Sequence, residues 1–309
     1  MPSAQQTRRL WSRRRLRALA TQVAGAGKDD ARVASLQREW AKAREHTASL
    51  ERELTGLNAP FAPDNQERGP PMAGITVLEV ANWAATPAAG AILADLGAEV
   101  IKVEAIEGDS MRFALAQPKI LNPQTQKEFR SGEVIDPEFN FANRGKKSIC
   151  VNVGDPRGVA IVHRLAAKCD IFLTNLLPGR LRQFSLTYDT VKNINPRAVY
   201  ASMTPYGSSG PQSELTGFDF TAFYALGGVM GLMGDPKDKL MRAGNESYRT
   251  GMGDLPTALA LTSAILSGLH LREKSGRGCQ VETSLLRNAA FVIGCDLSVA
   301  MVDNQQPRP

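Results

Sequence analysis

A strand, helix, strand run between Gly74 and Glu104 limits the folds open to this chain more than any other stretch. Ile75–Val80 reads as a strand, Pro87–Leu96 as a helix and Val100–Glu104 as a second strand, with Gly97 turning the chain before the last of these. Strands joined through a helix lie parallel, with a right-handed crossover. The same texture continues downstream. Ser148–Val153, Asp170–Thr174 and Ala198–Met203 have strand character, Pro156–Lys168 is helical, and Tyr188–Ile194 forms a shorter helix. The expected fold is α/β, a doubly wound, Rossmann-like parallel sheet with the start of a second, smaller α/β domain behind it. In such sheets ligands bind beyond the C-terminal strand ends, here the segments starting at Asn82, Ala105, Asn175 and Tyr206.

A dinucleotide is the first ligand such a sheet suggests, and Glu104 stands where a ribose-binding acid would sit. The turn Ala81–Gly90 opposes it, because it holds no GxGxxG to bring the backbone against a pyrophosphate. Residues 105–141 are rich in Gln, Glu, Asn and Pro and are expected to be irregular. They lead into Asn143-Arg-Gly-Lys-Lys147, which reads either as a solvated turn or as a contact for the phosphates of a bulky anion. Gly207, Gly210, Gly217, Gly227, Gly228, Gly231 and Gly234 permit close approach of backbone to ligand or of helix to helix, and composition does not separate the two.

The second informative stretch is Arg249–Leu266. Gly251 and Gly253 allow a sharp turn, the Ala/Leu-rich run after Pro256 has the propensity of a buried helix, and Asp254 falls at or beside its N-cap. Unpaired amides and the helix dipole favour a carboxylate there. Asp254 is either a cap or a carboxylate nucleophile. The turn Lys274–Gly278, a strand Gln280–Thr283 and a helix from Ser284 follow.

Composition narrows the function classes. Of the 37 basic residues, seven fall in 1–28, which holds no acid, leaving 30 basic against 31 acidic residues in the rest. The body is close to neutral, which argues against a nucleic-acid partner. Residues 1–28 have the composition of a mitochondrial transit peptide or a basic disordered tail, so a mitochondrial or cytoplasmic location is expected. Cys150, Cys169, Cys279 and Cys295 form no CxxC pair, and with His46, His163 and His270 they signal neither a metal site nor a disulfide framework. The longest apolar stretch, 258–269, is too short to span a bilayer. Val33, Leu36, Trp40, Ala43, Thr47, Leu50, Leu54 and Leu57 recur at spacings of three and four, giving 29–57 as an amphipathic helix that docks on a partner surface. The Pro-rich 58–73 reads as a linker, 74–215 as the sheet domain and 216–309 as the second domain.

An ordered series of short matches across 74–290 resembles the class III CoA-transferases, the CaiB/BaiF family that holds formyl-CoA transferase, carnitine CoA-transferase and α-methylacyl-CoA racemase. The matching pieces are Gly74-Ile-Thr-Val-Leu-Glu79, Asp95-Leu-Gly-Ala-Glu-Val-Ile-Lys-Val-Glu104, Asn143-Arg-Gly-Lys-Lys-Ser148, Asn175 with Pro178-Gly179, Asn195-Pro196, Tyr206-Gly207 with Gly210-Pro211, Gly217-Phe-Asp219, Gly253-Asp254 and Gly276-Arg-Gly278. The resemblance implies a transferase that moves CoA from an acyl-CoA to a carboxylic acid. Asp254 is its nucleophile, an aspartyl-CoA thioester its intermediate, and the Gly227–Gly234 amides assist the oxyanion. Coenzyme A is then substrate, with no permanently bound cofactor and no metal. Its contacts would fall on Asn82, Ala84, Ala85, Val151, Asn175, Leu176, Phe184 and Tyr206. Ala105 and Gly154 stand where a basic residue often meets CoA phosphate, so Arg112, Arg144 or Lys147 would supply that charge. The racemase branch uses a His at the position of Phe218, and a phenyl ring takes no proton, which favours transfer over racemisation. Family members run well beyond the point matched by Pro309, through a part that interlocks two subunits. The expectations are therefore a homodimeric transferase or, if that part is lacking, a catalytically silent CoA-binding or partner-binding relative.

Overall fold

Six strands form one sheet: β1 (Thr76–Val80), β2 (Glu99–Glu104), β3 (Lys147–Cys150), β4 (Ile171–Thr174), β5 (Val199–Thr204) and β6 (Gln280–Ser284), in the order β3-β2-β1-β4-β5-β6. Every neighbouring pair is parallel. The computed structural model describes residues 69–114, 137–233 and 251–304. The basic tail 1–28, the amphipathic segment 29–57, most of the linker 58–73, and Gly234 lie outside the described residues. Pro70–Pro309 gathers into one compact unit, and β6 from the C-terminal third completes its sheet beside β5.

The connections are helical: α1 (Ala85–Asp95), α2 (Met111–Ala114), α3 (Pro137–Asn143), α4 (Pro156–Ala166), α5 (Pro178–Gln183), α6 (Tyr188–Ile194), α7 (Asp254–Ser275), α8 (Leu285–Val292) and α9 (Gly294–Asp303). A π-helical turn, Asp219–Leu226, and a 3₁₀ turn, Val229–Leu232, precede α7. Segment 105–141 is thus not wholly irregular: α2 lies within it and α3 overlaps its end, each too short to show a period. The sequence also hides α5, six residues opened by Pro178, and the π-helical turn, whose Gly227 N–H reaches Ala222 O five residues back.

Strand composition follows from burial on both faces. β4 and β5 are buried at every residue, and successive side chains enter opposite cores. Val77, Ile171, Leu173 and Ala201 pack under α1 and α7, whereas Leu78, Val80, Phe172 and Tyr200 pack under α4 and α6. Gly268 lets α7 settle on β5, since a Cβ there would stand 2.9 Å from Val199 Cγ1. The order of strands reverses between β1 and β4, so the loops leaving them diverge and open a crevice at their C-terminal ends. Among the described residues no single helix is long and apolar enough to cross a membrane, and α8 and α9, apolar together, are bent by 66°.

Candidate active site

Two adjoining cavities occupy that crevice. The larger, about 920 Å³, is walled by Asn82–Ala85 after β1, Asn175–Leu177 after β4, Met203 and Pro205 at β5, Thr216–Phe220, and Gly251, Asp254 and Leu255. The smaller, about 660 Å³, lies over β2 and β3 and is walled by Glu104–Glu107, Val151–Gly154, Gln183 and Phe184. Asn82, Leu176 and Arg180 belong to both walls.

Asp254 is the first residue of α7, beside its N-cap Gly253. Its approach is made by backbone contacts. Gly251 is left-handed at φ 84°, and its N–H donates to Asp219 Oδ2 at 2.7 Å. A Cβ on Gly253 would stand 2.6 Å from Phe223 Cγ and 2.9 Å from Asp219 Cβ, so only glycine lets α7 start against the π-helical turn. The Asp254 carboxylate has no hydrogen-bond or ion-pair partner among the described residues. Burial, and next the charge of Asp219, push its carboxyl from the ordinary 3.8 up to about 7. That rise is about 4 kcal/mol against ionisation, whereas a helix dipole offers about 0.3–1 kcal/mol. Desolvation therefore outweighs the dipole that the sequence suggests would hold the charge. Burial also pushes Asp219 upward, against N–H bonds from Gly251, Phe220 and Gly253.

The site residues expected from sequence divide between the cavities. Asp254, Asn82, Ala84, Ala85, Asn175 and Leu176 line the larger one, and Val151 and Phe184 join Asn82 and Leu176 in the smaller. Asn175 acts first as a tie: its Oδ1 accepts from Asn82 N at 3.1 Å and its Nδ2 donates to Asn82 O at 2.7 Å, locking the β4 loop to the β1 loop. Tyr206 is half-buried against the core and lines neither cavity. Arg112 also stands outside both walls. Its guanidinium forms a fork on Glu104 at 2.7 and 2.8 Å and covers the Phe139 ring. Burial alone would raise Glu104, yet hydrogen bonds from Arg112, Ser148 and the Asp109 N–H bring it down to about 2.

The basic cluster is likewise drawn into internal pairs. Arg144 binds Asp95, Lys147 binds Glu99, and Lys146 is buried on Glu79 at 2.7 Å. Neither a merely solvated turn nor a phosphate contact describes Lys146. Glu79, Lys102, Asp109 and Lys146 form a buried chain of alternating charge, with Lys102 Nζ 3.0 Å from Glu79 and 2.8 Å from Asp109. Burial brings Lys146 down to about 8 despite Glu79. Asp109 Oδ1 then accepts from the N–H groups of Trp83 and Met111, holding Trp83 left-handed at φ 66° over the larger cavity. A glutamate inside Val-Leu-Glu-Val and a lysine inside Val-Ile-Lys-Val were the available signal, because a charge in a doubly covered strand needs a buried partner. Arg180, Trp83 and Phe220 carried no comparable sequence mark. Gly227 packs against α8, where a Cβ would meet Ala289, and Gly227, Gly228 and Gly231 line neither cavity. No cluster among the described residues could hold a metal ion.

Residues 72–309 match the family model for CoA-transferase family III. The chain belongs to this family. Its relatives include (R)-2-hydroxy-4-methylpentanoate CoA-transferase of Clostridioides difficile, 34% identical over 76% of this chain and 55% of that protein. Cinnamoyl-CoA:phenyllactate CoA-transferase of Clostridium sporogenes is 35% identical over 74% of this chain and 52% of its own length. Succinyl-CoA:glutarate CoA-transferase of Mus musculus is 38% identical over 70% and 45%. The solved structure of a CaiB/BaiF family protein from Brucella suis superposes with a TM-score of 0.67 at 33% identity, over 77% of this chain and 59% of that one. The chain spans about half the length of the curated relatives it matches. The family III match covers the whole described sheet and both cavities.

Proposed function

We propose that this chain carries the acyl-CoA half-site of a CoA-transferase and that Asp254 is its nucleophile. The observation that carries the reading is a carboxylate with no partner among the described residues, at the first turn of α7, in the wall of a cavity continuous with the strand-end crevice. Its oxygen attacks the thioester carbonyl and the C–S bond breaks, leaving an acyl-aspartyl anhydride and CoA thiolate. The thiolate attacks the aspartyl carbonyl, releasing the donor acid and forming aspartyl-CoA. An acceptor carboxylate repeats the two steps in reverse, restoring the free Asp254 carboxylate with no net change in protons. Coenzyme A lies along the smaller cavity over Val151, Leu176 and Phe184, with Arg180 as the cation at the junction in place of Arg112.

Racemisation fits less well, because Phe218 stands beside Asp219 in the cavity wall where that chemistry needs a base. A homodimer also suits the fold, since Phe291, Val299, Met301 and Val302 on α8 and α9 are widely exposed. The test of the mechanism is chemical trapping. Incubation with acyl-CoA and hydroxylamine converts Asp254 to its hydroxamate, read by peptide mass spectrometry. Retained CoA binding with no adduct at Asp254 means a catalytically silent CoA-binding chain.

A further inference from the structure

The names of the relatives cover branched, aromatic and dicarboxylic acids, so they do not choose among acyl groups. The larger cavity does. Trp83, Phe141, Phe218, Phe220 and Leu255 are all large apolar side chains left 38–52% exposed, and all line this one concavity. Trp83 and Phe218 meet edge to face, with ring centroids 5.2 Å apart, and form a paired aromatic wall beside Asp254. The backbone under each ring is held: the Trp83 main-chain N–H donates to the buried Asp109, and the Phe218 main-chain N–H to Thr221 Oγ1 at 2.9 Å. Among the described residues the acidic members of the wall are Glu138, Asp219 and Asp254, against one basic member, Arg180, which the other cavity shares. A second carboxylate on the acyl group would face like charge, and a bulky apolar group would cover the rings.

We infer that the acyl group taken by this site is bulky and apolar, of aryl or branched-alkyl class, and lacks a second carboxylate. The inference rests on the reading of Asp254 as the nucleophile, which sets the thioester carbonyl against the wall of the larger cavity. It makes the Trp83–Phe218 wall the specificity determinant of the site.

The full chain is assayed with cinnamoyl-CoA, 4-methylpentanoyl-CoA and succinyl-CoA, following aspartyl-CoA formation, and the same three are measured as equilibrium ligands of Asp254→Asn. Both apolar thioesters are expected to exceed succinyl-CoA by about tenfold in kcat/KM and in affinity, and Phe218→Ala to bring both ratios to within about threefold, with Phe218→Leu between. Succinyl-CoA equal to or better than the apolar thioesters, or ratios untouched by Phe218→Ala, overturns the inference. Unchanged ratios with an altered oligomeric state overturn it in favour of an interface between copies. No adduct from any donor, with the affinity ratio intact, overturns the transferase reading and upholds the apolar site.

Discussion

The carboxylate of Asp219 accepts the N–H of Gly251 at 2.7 Å across 32 residues of chain. This bond ties the π-helical turn to the start of α7 and so delivers Asp254 to the cavity wall, while the charge of Asp219 raises the carboxyl it has positioned. One residue thus helps to place its neighbour and adds to the rise that burial gives its carboxyl.

Asp219→Asn keeps an oxygen for Gly251 and removes the charge. The Asp254 carboxyl is expected to titrate below the value of about 7 that it has in the native chain. On the proposed mechanism, aspartyl-CoA formation is expected to rise with pH through that value, and to rise earlier in the variant. An unmoved midpoint in the pH profile would refute the coupling.

Stability carries the opposite signature at Asp254. Between about pH 4 and pH 7 the folded chain keeps this proton after the unfolded chain has lost it, so stability falls as pH rises. Asp254→Asn is expected to be more stable than the native chain above pH 7, by about 2–4 kcal/mol. The gap closes toward about pH 4. Urea unfolding at the two pH values measures it.

Removing a shared cation from the buried charge chain leaves its neighbours short of charge. Lys102→Met takes the ion pair from Asp109 and leaves Glu79 with Lys146 alone, and is expected to cost about 3–5 kcal/mol. Lys147→Met, which breaks the exposed pair with Glu99, is expected to cost less than about 1 kcal/mol. Equal shifts in urea midpoint would show that the buried chain is not special.

Glycine to alanine in a helix ordinarily stabilises by about 1 kcal/mol. At Gly90 the new Cβ would fall 2.0 Å from Glu79 Oε2 and 3.2 Å from Lys146 Cε. Gly90→Ala is expected to destabilise by about 1–3 kcal/mol instead. Thermal unfolding beside Gly231→Ala, whose Cβ meets nothing within 4 Å, checks the sign.

The alternation of strands with Pro87–Leu96 and Pro156–Lys168, the glycine turn before Asp254 and the loops leaving Asn82 and Asn175 were legible without coordinates. Each is local: hydrophobic period and turn chemistry record which face is buried and where the chain reverses. The short helices α2, α3 and α5 fell below that signal, and the π-helical turn carries a different period. Only tertiary structure decided that β6 closes the sheet, that Arg112 turns to Glu104 while Arg180 reaches both cavities, and that Lys102 and Lys146 share Glu79 across 23 and 67 residues. The same holds for the acidity of Asp254. A residue's type states what it can donate, accept or titrate, but its charge partners and its distance from water are properties of the packed chain, and no spacing along the sequence encodes them.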